Sequence, residues 1–163
     1  VDGLTLWAQH HAWLTAPRER QAPKGGGEAP PATSRATEWE IDLASAPMPP
    51  LVGGDWLLGW LFAAGPLASD GMGARGLSWP ELAAWEACTR PLATPWELAV
   101  VHRLSSAYAN AWHAATKPDC KAYWLNEELA QANAARSDAV GQQLKSVLSA
   151  LAKRGTPKPT PPA

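Results

Sequence analysis

Six side chains in this chain are of the kind that hold a soft metal: His10, His11, His102, His113, Cys88 and Cys120. Zinc sites usually draw on paired ligands at short spacing. Here the cysteines stand 32 residues apart and neither has a paired neighbour. His102 and His113 fall eleven apart on one predicted helix. Eleven residues return to nearly the same helical face, but about 16 Å along the axis at ~1.5 Å per residue, too far for one ion. No metal and no other cofactor is expected. Nucleophilic chemistry fares no better. There is no Gly-x-Ser-x-Gly elbow. Cys88 falls on an apparently apolar helix face, which reads as a buried structural thiol.

The acids Glu81, Glu86 and Glu97 invite an acid/base reading. Glu81 and Glu97, however, close the patterns Ser78-x-x-Glu81 and Thr94-x-x-Glu97, in which the acid returns to the backbone N–H of the capping residue. Ser78, Glu81, Thr94 and Glu97 are therefore structural caps, and Glu86 is a solvated surface position. The run Gly71 to Gly76 lacks the Gly-x-x-x-x-Gly-Lys-Ser/Thr pattern of a phosphate loop. It reads as a turn needing positive φ, and Arg75 alone is weak support for an anion. No catalytic site is expected.

The elements that would position these residues follow from punctuation. Leu4, Trp7, His11 and Leu14 recur at three- and four-residue steps, which predicts a helix over 1–16 ending at Pro17. Residues 17–51 are rich in Pro and Gly and read as a flexible linker, with 38–43 alternating as a short extended segment. A helical module is expected over 52–154. Its first helix starts at Asp55 and stops at Gly65-Pro66. The two capped helices follow, one stopping at Arg90-Pro91 and the other at Lys117-Pro118. A long helix is expected from Asp119 to Leu151, with a bend at Gly141. Residues 155–163 read as a disordered proline-rich tail. The fold class is thus mainly all-α: a compact bundle of about four helices with a flexible N-terminal arm.

Composition narrows the function. The 163 residues carry 14 Lys+Arg against 15 Asp+Glu, a net charge of −1. That balance gives no handle on nucleic acid or anionic lipid. A helix-turn-helix around residues 90–94 is disfavoured, because its second helix would present Trp96 and Glu97 where base-reading donors belong. No run reaches the ~20 apolar residues of a membrane span. The start, Val1-Asp2-Gly3, shows no secretion signal. The two cysteines suit a reducing compartment, and their pairing stays open. Ten tryptophans stand against two Tyr and one Phe. Most are expected in the core; the alternative leaves some exposed as interface anchors.

Residues 55–112 carry a family resemblance. The segment runs Trp56-Leu57-Leu58-Gly59-Trp60, then "LSWPELAAW" from Leu77, then "TPWELAVVHRLSSAY" from Thr94. It resembles small phage proteins encoded among tail genes between the tube and tape-measure genes, regarded as tail assembly chaperones. The resemblance implies a non-enzymatic binding protein of the host cytoplasm whose partner is the tape-measure protein, the tail tube protein, or both. A structural tail or adaptor subunit of the virion is the alternative, and self-association is open. The helix over 1–16 has no obvious core of its own beyond a flexible linker. Leu4, Trp7, His11, Trp13 and Leu14 are therefore the candidate partner-binding residues, unless the helix folds back on the module.

Overall fold

The computed structural model describes residues 2–19, 30–71, 73–125, 141–143, 145, 146 and 149. The chain divides into two compact units, Val1–Trp124 and Leu125–Ala163. The first is mainly helical with short strands.

Helix α1 (Asp2–Thr15) opens with an acid in its first turn and ends at Ala16, whose N–H reaches the Ala12 carbonyl just before Pro17. Strand β1 (Pro17–Arg18) pairs antiparallel with β2 (Thr33–Ser34), Pro17 opposite Ser34. Ser34 then caps the short α2 (Arg35–Glu38), its Oγ accepting from the Thr37 N–H at 3.1 Å. Within the stretch expected as a linker, 17–51, the described residues thus form β1, β2 and α2, and Arg35 and Ala36 are buried; residues 20–29 lie outside the described residues. Residues 38–43 form no strand: Glu38 ends α2 and a turn follows.

Helix α3 (Asp55–Ala64) takes Gly54 as its N-cap, at φ +81°, and Asp55 is its first residue rather than its cap. Gly65 at φ +85° closes it. A hairpin of β3 (Ala68–Ser69) and β4 (Ala74–Arg75) turns through Gly71 and Gly73, both at positive φ, as the glycine run predicts. Helix α4 (Trp79–Thr89) and helix α5 (Pro95–Ala115) each start from a capping box with Pro in the first turn. Thr94 N–H donates to Glu97 Oε2 at 2.7 Å and Glu97 N–H to Thr94 Oγ1 at 3.3 Å. At the other box, Ser78 N–H and Oγ both donate to Glu81 Oε2 at 2.7 Å. Arg90 in the left-handed region ends α4. Ser78→Ala and Thr94→Ala are each expected to lower stability by about 0.5–2 kcal/mol in chemical denaturation. An unchanged midpoint in either would show that its cap is not stabilising.

The core is aliphatic. Leu57, Leu58 and Leu61 of α3, Leu82 of α4 and Val100, Val101 and Leu104 of α5 close on Leu4, Ala8 and Ala12 of α1. Helix α1 packs chiefly along α5. It therefore lies in the same unit as α3, α4 and α5. Ser105, fully buried, ties the hairpin to α5: its Oγ accepts from the Leu77 N–H at 2.7 Å and donates to the Pro66 carbonyl at 2.8 Å.

Three other expectations change. Of the ten tryptophans only Trp13 is buried, because smaller branched chains fill the core and the indoles border it. Cys88 is exposed on α4 rather than buried, since only Leu82 of that helix reaches the interior; both cysteines are free thiols. No helix starts at Asp119: residues 119–125 form a turn and irregular chain, in which Tyr123 packs on the core. In the second unit, residues 141–143, 145, 146 and 149 are helical, and Ser146 Oγ donates to the Gln143 carbonyl. The rest of the expected long helix and the tail at 155–163 lie outside the described residues. Among the described residues no helix is long and apolar enough to cross a membrane.

Candidate partner-binding face

The five residues expected to meet a partner are largely spent inside the molecule. Leu4 and Leu14 are buried, and Leu4 lies in the main core. Trp7 stacks on His11 at 5.3 Å and meets Phe62 edge-on at 5.9 Å. His11 Nδ1 shares a 3.1 Å hydrogen bond with the Tyr108 hydroxyl, which also bonds Thr15. Trp13 is buried between His10 and Trp39, and its Nε1 donates to the Cys120 carbonyl at 3.0 Å. Of the two readings left open for α1, the structure has the fold-back: its apolar face finds a core against α5, where burial outweighs exposure on a tether.

Exposed aromatic area lies elsewhere. Trp56, Trp79 and Trp96 are 50%, 53% and 58% exposed. Each occupies the first or second residue of its helix, α3, α4 and α5 respectively. First-turn side chains lie beside the cap, ahead of the turns that pack on the core. Trp56 Nε1 donates to Glu97 Oε1 at 3.2 Å, so the α3 ring is fixed against the first turn of α5 next to Trp96. The capping bonds from Thr94 together with this indole hold the Glu97 carboxyl below its ordinary range. Trp79 lies flat on the His102 ring, 4.5 Å between centroids and 5° between planes. Leu92, almost fully exposed at φ +55°, adds apolar surface in the α4–α5 connection.

Of the residues singled out for chemistry, Arg75, Ser78, His102 and His113 line one groove of about 480 Å³, together with Ser106 and Asn110. Most of its polar groups are already engaged. Arg75 pairs bidentately with Glu81 at 2.8 and 2.9 Å. That pair first, then the Ser78 N–H and hydroxyl, pulls the Glu81 carboxyl down to about 2. Ser106 Oγ donates to the His102 carbonyl, and His113 Nε2 to the Ala74 carbonyl. The geometry brings no serine hydroxyl onto an imidazole, and among the described residues no three His, Cys, Asp or Glu side chains converge as metal ligands do.

No protein-family model, curated protein or solved structure matches this chain. What the site can do therefore rests on its own geometry: exposed indoles at the starts of three helices, two of them opened by capping boxes, suit capture of an apolar partner surface. The signal for them was in the sequence, in Asp55-Trp56, Ser78-Trp79-Pro80 and Pro95-Trp96.

Proposed function

We propose that this protein is a non-enzymatic tail assembly chaperone that acts in the host cytoplasm on the tape-measure protein, the tail tube protein, or both. The observation that carries the reading is the set of exposed first-turn tryptophans, Trp56, Trp79 and Trp96. All three fall within residues 55–112, the segment that resembles tail assembly chaperones. A long helical partner exposes apolar faces that aggregate unless covered. Indoles held in place, as Trp56 is by Glu97 and Trp79 by His102, can cover such faces at low entropic cost. The near-neutral chain, with a net charge of −1, suits an apolar rather than an electrostatic contact.

The test is binding of the tape-measure protein by Trp96→Ala and Trp56→Ala at two salt concentrations, with circular dichroism to establish folding. Each truncation is expected to cost about 2 kcal/mol or more, a loss of at least ~30-fold in affinity. The parent's affinity should change little with salt. Unchanged affinity in both folded variants would sink this face as the contact. A steep salt dependence would point instead to a charged partner such as nucleic acid. Mass spectrometry of purified particles separates the structural alternative, since a tail or adaptor subunit stays in the virion and a chaperone leaves.

A further inference from the structure

His10 is fully buried, and neither of its ring nitrogens has a hydrogen-bond partner. Buried polar groups are nearly always paired, so an orphaned imidazole is unusual. It stacks on Trp13 at 5.4 Å and meets the edge of Trp124 at 5.7 Å. Trp13 and Leu14 are buried yet stand outside the main apolar core that takes in Leu4, Ala8 and Ala12 of the same helix. His10 therefore belongs to a secondary aromatic cluster, roofed by the strap of residues 116–124 that follows α5. The strap is tied to the main core by Tyr123 and to the Glu19 N–H by its Thr116 carbonyl at 2.8 Å. Its carbonyls at Lys117 and Cys120 accept from Arg35 at 3.2 and 3.5 Å, Cys120 also accepts from Trp13 Nε1, and Pro118 accepts from Arg18 at 3.3 Å. Its ring contact to α1 is Trp124 on His10.

We propose that His10 makes this strap an acid-released latch, in which protonation of the buried imidazole drives Trp124 off α1 while the main core stays folded. The Pro47 backbone, whose one hydrogen-bonding group is its carbonyl, can accept from one N–H of an imidazolium; among the described residues the second N–H has no acceptor and must reach water. Turning Trp124 outward gives up its edge contact to His10, whereas displacing α1 or Tyr123 would open the core. The titratable groups of the elements around His10 are Asp2 and His11 on α1, Arg35 and Glu38 on α2, Glu40 and Asp42 in residues 39–54, and Lys117, Asp119, Cys120, Lys121 and Tyr123 on the strap. From residues 39–54 it is the Pro47 backbone that approaches. Among the described residues no carboxylate forms an ion pair with it. Burial holds the closed-state imidazole down to about 4, partly opposed by the Pro47 backbone and slightly reinforced by His11. The sign follows: the closed form is favoured above the ordinary value of 6.5 and loses ground as pH falls below it. The opening constant should rise by up to about tenfold per pH unit, roughly two orders of magnitude in all by pH 4. His11 is also depressed by burial, but its Nδ1 bonds Tyr108 and its ring meets Phe62 in the main core. Its protonation would loosen the core rather than the strap.

Hydrogen exchange on the full chain, corrected for intrinsic rates, tests this between pH 7 and pH 4.5, with the Trp124 indole followed by NMR. Protection of the strap amides is expected to fall with pH while the amides of Val100, Val101 and Leu104 keep theirs. His10→Phe preserves the stack without a titrating nitrogen and should abolish the dependence. Trp124→Ala removes the roof, and His10 should then titrate near 6.5 by NMR. The latch is overturned if strap and α5 lose protection together, if His10→Phe retains the pH dependence, or if His10 in Trp124→Ala still titrates near 4.

Discussion

Arg35→Ala is expected to destabilise the protein by about 3–5 kcal/mol, measured by urea denaturation. Arg35 is 2% exposed and reaches four backbone carbonyls. Its Nη1 donates to Trp13 at 3.1 Å and Ala115 at 2.7 Å, and its Nη2 to Lys117 and Cys120. Its guanidinium lies 4.7 Å over the Trp13 ring. Ala115 closes α5 and Trp13 lies in the last turn of α1, so the cation meets the negative ends of two helix dipoles. Burial, before any neighbouring charge, lowers its proton affinity to about 10, which leaves it charged at neutral pH. Alanine would strand these carbonyls where water cannot replace the donor, at about 1–3 kcal/mol for each one left unsatisfied, with relaxation recovering part. Lysine keeps the charge but lacks the planar fork and should fall between the two. A loss below 1 kcal/mol for Arg35→Ala would mean that the strap and α2 are not fastened through this residue.

Gly76→Ala is expected to cost about 2–3 kcal/mol, read as a drop of roughly 10 °C in Tm. A Cβ at Gly76 would lie 2.9 Å from Ser106 Cα, 3.0 Å from Ser106 N and 3.2 Å from Ser105 C. These are backbone atoms of α5, which cannot rotate aside as a side chain would. Relief would require the hairpin to lift, and that lengthens the bond from the Leu77 N–H to Ser105 Oγ. The control is Gly59→Ala in α3, where nothing lies within 4 Å of the added carbon. That change should stabilise the helix by about 0.5–1 kcal/mol. If the two substitutions behave alike, the close approach of hairpin and α5 is not what Gly76 permits.

These two residues show where reading along the chain stops. The starts of α4 and α5 were legible because a capping box is local: Ser78 with Glu81 and Thr94 with Glu97 satisfy each other within one turn, whatever surrounds them. The same holds for Gly65, Arg90-Pro91 and the positive φ of Gly71 and Gly73, which are decided by backbone sterics. The limits of α1 were readable from its period and Pro17. Its position was not, because the pattern that marks an apolar face is the same whether α5 or another protein covers it. Composition likewise placed Arg35 in a Pro- and Gly-rich stretch that looked unable to offset its own ordering. The bonds that order it run to Ala115, Lys117 and Cys120, some eighty residues away, and leave no local trace. Exposure of Trp56, Trp79 and Trp96 is a tertiary outcome too: leucines, valines and alanines from α1, α3 and α5 fill the interior first, and the larger rings are left at its edge. Local bonding thus determined where the helices begin and end, and non-local packing decided which of their faces remain free to meet another molecule.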